Sequence, residues 1–308
     1  MALVNLPGSY SERWINMASK FLGTQINPDR FHKGQIPFFA ILIGFSVLMI
    51  LPILFIINHA FKPQSELFAY PPTFFVRNPT FDNFLELARI VSTSGIPFSR
   101  YVLNSIFVTV IGVGLAILFT ALSAYGLAKL KFKGKKLLFE INTLSLMFVP
   151  IAVQIPRYIV VAQSGMIDTY FAHIFPLITM PVAMFLIKQF IDQIPNDFIE
   201  AARIDGASEM QIFFKVIMPM IAPAVATVGI LAFQLIWNDT STSTLFINDE
   251  SLRTLAFFLQ TLTSGIGNTI AGQGMAAAAS LLMFLPNLVL FIILQSQVMS
   301  TMAHSGLK

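Results

Sequence analysis

Six runs of this chain, at about 36–58, 102–128, 137–161, 170–191, 216–237 and 275–298, are apolar for close to the twenty residues a helix needs to cross a bilayer. In lipid every backbone N–H and C=O must find its partner inside the segment, so runs of this length are read as helices. Composition agrees. Apolar residues make 56% of the 308 and charged residues 11%, where a soluble domain carries about 25% charge; mean hydropathy is +0.75. The predicted fold class is therefore all-α, a polytopic membrane protein of six transmembrane helices. The third run is the least regular, with Glu140 and Arg157 near its ends and Pro150 and Pro156 inside. Pro176 and Pro181 interrupt the fourth. Each proline removes a donor and kinks or breaks its helix.

Orientation follows basic residues in short loops. The loop after the second run holds Lys129, Lys131, Lys133, Lys135 and Lys136, and the loop after the third holds only Asp168. Both termini and the loop at 192–215 are thus expected in the cytoplasm. Lys62, Arg77, Arg89 and Arg100 in the external segment 59–100 pull the other way, but that segment is long and carries three acids among them. Its prolines and turn residues predict an ordered, mostly irregular stretch. Residues 1–35 form a cytoplasmic extension rather than a cleavable signal. Within it Trp14, Met17, Ala18, Phe21 and Leu22 share one helical face, with Ser11 and Gly23 as caps. Such a helix lies on membrane lipid or packs on the rest of the chain. The expected organisation is this extension, a first transmembrane helix with its external segment (36–100), a transmembrane domain (101–300) with a distinctive loop at about 192–218, and a cytoplasmic tail (301–308).

That loop has a grammar of its own. Pro195 stops the helix before it, and Asn196 or Asp197 is placed to cap a new helix. The new helix runs only to Asp205, because Gly206 supplies the left-handed residue that ends helices. Ser208, with Gln211 three residues on, opens the next helix through a capping box. The product is a stub of about nine residues, roughly 13 Å long, with a low face at Ala201 and Ala202 and five acids between Asp192 and Glu209.

The run Glu200-Ala201-Ala202-Arg203-Ile204-Asp205-Gly206-Ala207, followed by Phe213 or Phe214, Pro219 and Pro223, resembles the EAA loop of ABC-importer permeases, in its carbohydrate-uptake branch. The segment around Pro71-Pro72, Asn78-Pro79 and Asn104-Ser105 is similar to the smaller permease subunit of maltose-type importers. The resemblance covers about residues 45–300. It implies a type I ABC importer permease fold in a bacterial inner membrane, taking up carbohydrate by ATP-driven alternating access. It also implies that Glu200, Ala201, Ala202, Arg203, Asp205 and Gly206 belong to a coupling helix seated in a cleft of a cytoplasmic ATPase. Implied partners are a second permease subunit, an ATPase dimer that binds ATP and magnesium, and an extracytoplasmic solute-binding protein. No cofactor is expected in this chain, and no substrate-binding residue is assigned. The plainer reading of the loop is a connector with nothing docked.

The chain holds no G-x-x-x-x-G-K-[ST] phosphate loop and no His/Cys/carboxylate group at metal-ligand spacing. An enzymatic role is not expected, and neither is nucleic acid. Glycerol phosphate or a polyol is the alternative cargo. An ion-coupled secondary transporter would want buried acids within its spans, and only Glu140 comes near. Gln154, Arg157, Gln234, Asn238 and Asn287 are candidates to line a path, or simply to hydrogen-bond between helices. His173 has no carboxylate partner in sight and reads as packed. Trp237 reads as an indole at the outer interface. Leu252, Leu255, Leu259 and Leu262 predict a short external helix, a lid on the bundle or a contact for a binding protein.

Overall fold

The computed structural model describes residues 35–93, 95–266 and 270–305. The amphipathic helix expected around Trp14 and Phe21 lies outside the described residues, as does the end of the tail from Gly306. Among the described residues there are helices and turns and no strand. The chain divides into two compact units, one ending at Leu54 and one from Phe55 to Lys308.

Helix α1 (Ile36–Ala60, 25 residues) supplies most of what is described of the first unit. The consecutive Leu48, Met49 and Ile50 are all exposed. Successive residues stand about 100° apart on a helix, so the helix is apolar on every side, as a membrane span requires.

The second unit is built on α4 (Phe98–Lys129, 32 residues). One face of it, through Asn104, Val108, Gly112, Ala116, Thr120 and Ala124, is buried and mostly small. Small residues let membrane helices approach closely, and α7 (Tyr170–Ile178), α8 (Pro181–Asp192) and α12 (Ala222–Trp237) all pack on α4. At Gly112 an added Cβ would stand 2.9 Å from Ile236 Cδ1, so a side chain there would displace the tip of Ile236.

Three of the six expected spans are broken. The run read as 137–161 is α5 (Lys135–Ser145), a 3₁₀ turn (Pro150–Val153) and α6 (Gln154–Gln163), bent by 113°. Pro150 opens the new direction, and Pro156 sits in the first turn of α6, where its missing donor costs nothing. Between α7 and α8 the bend is 47°, at the break before Pro181. The fifth span, read as one helix over 216–237, is a correction. Helix α10 (Glu209–Ile212) continues through a π-helical turn (Phe213–Ile217) into α11 (Met218–Met220), then turns by 84° into α12. Pro219 and Pro223 flank that corner, each without the N–H that would carry a helix across it. Three helices are long and apolar enough to cross a membrane singly, and counting each bent pair as one span gives six.

The segment 59–100, expected to be external, is more helical than expected. Beside α2 (Gln64–Leu67) it contains α3 (Asp82–Thr93), which buries Asn83 and Leu87. Asn83 Nδ2 donates to the carbonyls of Ala60 and Lys62, both at 2.9 Å, and α3 packs on α15 (Ile270–Ser305). Between α12 and α15 lie α13 (Ser241–Phe246), a 3₁₀ turn (Glu250–Leu252) and α14 (Leu255–Ile266). Helix α14 buries Leu255 and Leu259 in one cluster with Tyr101 and Trp237, so the predicted short helix packs on its own bundle. Trp237 is buried and donates its indole N–H to the Met283 carbonyl at 3.2 Å, one turn before Pro286.

Candidate functional site

Helix α9 (Asp197–Ile204) is the stub, eight residues long. Gly206 has φ +81°. Its N–H donates to the Arg203 carbonyl, and the N–H of Ala207 to the Ala202 carbonyl, both at 3.0 Å. These two bonds close the helix end and satisfy carbonyls that would otherwise be orphaned. The capping box forms as expected: Ser208 N–H donates to Gln211 Oε1 at 2.8 Å and Gln211 N–H to Ser208 Oγ at 3.4 Å. Asn196 is the N-cap residue, but its side chain does not cap the helix. It accepts instead from Lys129 Nζ at 3.0 Å, and the same ammonium donates to the Ile194 carbonyl at 2.6 Å. Lys129 therefore ties the entry of the stub to the end of α4.

The inner face of α9 is Ile199, 3% exposed, with Ala202 half-buried beside it. Both join a cluster that includes Tyr125 of α4, Ile187 and Ile191 of α8, and Phe213. The outer face presents Phe198, Glu200, Ala201 and Ile204, the last 86% exposed. The two alanines of the low face thus point in different directions: Ala201 outward, Ala202 into the protein's own core.

Arg203 does not pair with Glu200, one helical turn before it. Its Nη2 and Nε lie 2.8 and 2.9 Å from Glu209 Oε1, across the turn at Gly206. Glu209 Oε2 accepts from the Tyr125 hydroxyl at 2.7 Å. A chain Arg203–Glu209–Tyr125 thus links the stub, the next helix and α4. Tyr125, Lys129 and Asn196 were not identified as site residues from the sequence, because nothing local marks an interaction 84 residues distant. Glu209 had one usable signal, an acid just past a Ser N-cap and near an arginine. With Arg203 engaged, the carboxylates of Asp197, Glu200 and Asp205 have no hydrogen bond or ion pair among the described residues.

The other end of α4 carries a second polar assembly. Arg100 Nε and Asn104 Nδ2 donate to the Ser251 carbonyl at 3.1 and 2.8 Å, and the Tyr101 hydroxyl donates to Glu250 Oε1 at 3.1 Å. Asp168 accepts from the backbone N–H groups of Asp249 and Asn248 and from the Asn248 side chain. The Asp249 N–H, then the Asn248 amide and N–H, hold its carboxyl below the usual aspartate range. His173 is fully buried between Thr242 Oγ1 at 2.8 Å and the Leu252 carbonyl at 3.1 Å, a packed histidine as expected. Of the five path candidates, the structure brings Asn238 and Asn287 together, 3.4 Å apart, with Gln234 receiving the Asn238 amide at its carbonyl. Arg157 lies apart, half-buried in a cleft with Phe175 and Pro176. No cluster of metal ligands occurs among the described residues.

Residues 34–298 match the family described as binding-protein-dependent transport system inner membrane component. The chain belongs to this family. It is accordingly a multi-pass permease of the bacterial inner membrane and a transporter component. Protein LplC of Bacillus subtilis is 33% identical over 281 residues, covering 86% of this chain and 91% of LplC. The arabinooligosaccharides transport system permease protein AraQ of Halalkalibacterium halodurans is 29% identical over 271 residues, 86% of this chain and 95% of AraQ. A chain of a bacterial ABC transporter involved in the import of the acidic polysaccharide alginate superposes with TM-score 0.73 at 21% identity, over 87% of this permease and 98% of that chain. The shared fold is that of an ABC importer permease.

Proposed function

We propose that this permease is one half of the membrane pore of an ABC importer for carbohydrate. It pairs with a second, non-identical permease subunit. Two separate ATPase subunits bind ATP and magnesium beneath the pore, and a solute-binding protein delivers sugar from outside. The observation that carries the coupling reading is the built form of α9. It is closed at its C-terminal end by the Gly206 turn, anchored by Ile199, and tied to α4 through Lys129 and Glu209, while Phe198, Ala201, Ile204 and three unpaired acids face outward. A stub so braced transmits a push as a rigid body. Its outer face suits an apolar cleft with a cationic rim. Glu200, Ala201 and Asp205 belong to that face; Ala202, Arg203 and Gly206 set its orientation. The carbohydrate assignment draws on the relatives' names, AraQ among them. Ion-coupled transport finds no support in a binding-protein-dependent family.

The test uses the assembled transporter in proteoliposomes. Ala201→Asp puts an unpaired carboxylate on the outer face without touching the core, where burial against a partner is costly. It should reduce ATPase co-purification and sugar uptake at least about tenfold while the permease itself unfolds at its normal temperature. Gly206→Val imposes a β-branched side chain at positive φ and should do the same with some loss of stability. Normal uptake and normal ATPase recovery in both variants would remove the coupling assignment.

A further inference from the structure

At the end of α4 away from the stub, the close of α12, α14 and α15 border an open cleft of about 530 Å³, within the range of small-molecule sites. Its walls include Asn238, Thr240, Gln260, Ser280, Phe284 and Asn287, and no lining residue is charged. On α15, Gln273, Ser280 and Asn287 recur every seven residues, nearly two full turns. From Gly274 to Leu294 the helix is otherwise apolar apart from Ser280 and Asn287. Polar positions repeated along one face of a membrane helix turn toward protein or water, not lipid.

Hydrogen-bonding capacity in the cleft is unused. The Gln260 amide and the Thr240 hydroxyl have no partner among the described residues. Asn287 Nδ2 donates to the Met283 carbonyl at 3.0 Å and to Asn238 Oδ1, but Asn287 Oδ1 is buried with no donor facing it. Ser280 gives its proton to the Ala276 carbonyl at 2.8 Å, which leaves its oxygen as an acceptor. The cleft thus offers amides and hydroxyls that both donate and accept, with the Phe284 ring beside them and no counter-charge.

We infer that this cleft binds an uncharged, hydroxyl-rich ligand, a neutral glycoside passing through the pore. The inference rests on the carbohydrate reading above and narrows it. Sugar hydroxyls donate and accept as this lining does, and a ring's C–H face suits Phe284. A phosphate or uronate would surrender its hydration to a wall with no cation to replace it.

The experiment uses the purified transporter with all its subunits. Uptake into ATP-loaded proteoliposomes is measured for a tritiated mixture of neutral di- to tetrasaccharides, for glycerol 3-phosphate and for an alginate oligomer. Binding of the same probes to the complex without its binding protein is measured by equilibrium dialysis. The neutral mixture should be carried and bound. Gln260→Leu and Asn287→Leu should each weaken its binding about tenfold, with unstimulated ATPase activity and subunit recovery within twofold, and Gln260→Asn should recover part of the loss. The Gln260 side chain is exposed and bonded to nothing among the described residues, so its replacement does not unfold the helix. If the neutral mixture is carried but both leucine variants bind it as the wild type does, the cleft is not the site and the carbohydrate reading stands. If only glycerol 3-phosphate or the alginate oligomer is carried, the neutral-ligand inference falls, and with glycerol 3-phosphate so does the carbohydrate reading.

Discussion

Arg203 and Glu200 sit one helical turn apart with opposite charge, a pair worth a few tenths of a kcal/mol at best. Glu209 wins Arg203 because its carboxylate also receives the Tyr125 hydroxyl, so one acid satisfies two donors. Tyr125 is 4% exposed, so that hydroxyl has little water to fall back on. Tyr125→Phe should cost about 1–2 kcal/mol, the loss of a hydrogen bond to a charged acceptor that stays paired with Arg203. Arg203→Ala, removing a half-exposed ion pair, should cost less than about 1 kcal/mol. Thermal unfolding of the purified permease in detergent checks the order; equal losses would mean that the tyrosine bond carries no special weight. Asp168 gives a pH-dependent case. Its folded value is depressed, so the stability it lends is fully present above its unfolded value, near 4, and is lost as pH falls through the folded one. Protection of the Asn248 and Asp249 amides against hydrogen exchange should therefore decline below about pH 4, and Asp168→Asn should abolish that dependence.

At the scale of elements, α3 and α15 meet through a glycine. A Cβ at Gly274 would press on the Asn83 amide, 2.8 Å from its Cγ and 2.9 Å from its Nδ2. Asn83 has nowhere to go without abandoning the carbonyls of Ala60 and Lys62. Gly274→Ala should destabilise by about 2–4 kcal/mol, from the overlap and the lost hydrogen bonds. Adding Asn83→Ala should then cost less than in the wild-type background, since the two changes share one contact. Additive losses by thermal unfolding would show that the two residues do not share it. The broken spans arise from prolines in the same way. Pro150 and Pro181 were legible as interruptions; Pro219 and Pro223 marked only the family resemblance, and the 84° corner between them was not foreseen. The size of each bend was not legible either, because a missing donor permits a corner and the neighbouring helices set its angle.

For the whole molecule, the lysine-rich loop and the stub occupy one end of α4, through the bonds of Lys129 to Ile194 and Asn196. The Asp168 turn and the Ser251 carbonyl lie at the other. The basic loops place the stub end in the cytoplasm as an expectation, which labelling tests. The native chain has no cysteine, so single cysteines at Lys133 and Ser164 report cleanly. They should label from the cytoplasmic and the external side respectively. Labelling of both from one side would overturn the orientation and with it the placement of α9 beside an ATPase.

Length and hydropathy of the apolar runs, together with single special residues, determined what the sequence alone could: an all-α membrane protein, six crossings, and a short capped helix between the fourth and fifth. These are local facts. A helix must satisfy its own backbone in lipid, and a glycine at the end of a stub takes positive φ. A serine with glutamine three residues on caps the helix it opens, wherever the segment lies. Tertiary structure alone decided that Ala202 faces the core while Ala201 faces out, that Trp237 is buried on α15, that Lys129 holds Asn196, and that Asn238, Gln260 and Asn287 gather around one cleft. Each of these joins residues dozens of positions apart. Side-chain choice among donors and acceptors depends on which helices pack together, and that is settled by the fit of small faces on α4 rather than by any neighbour in the chain.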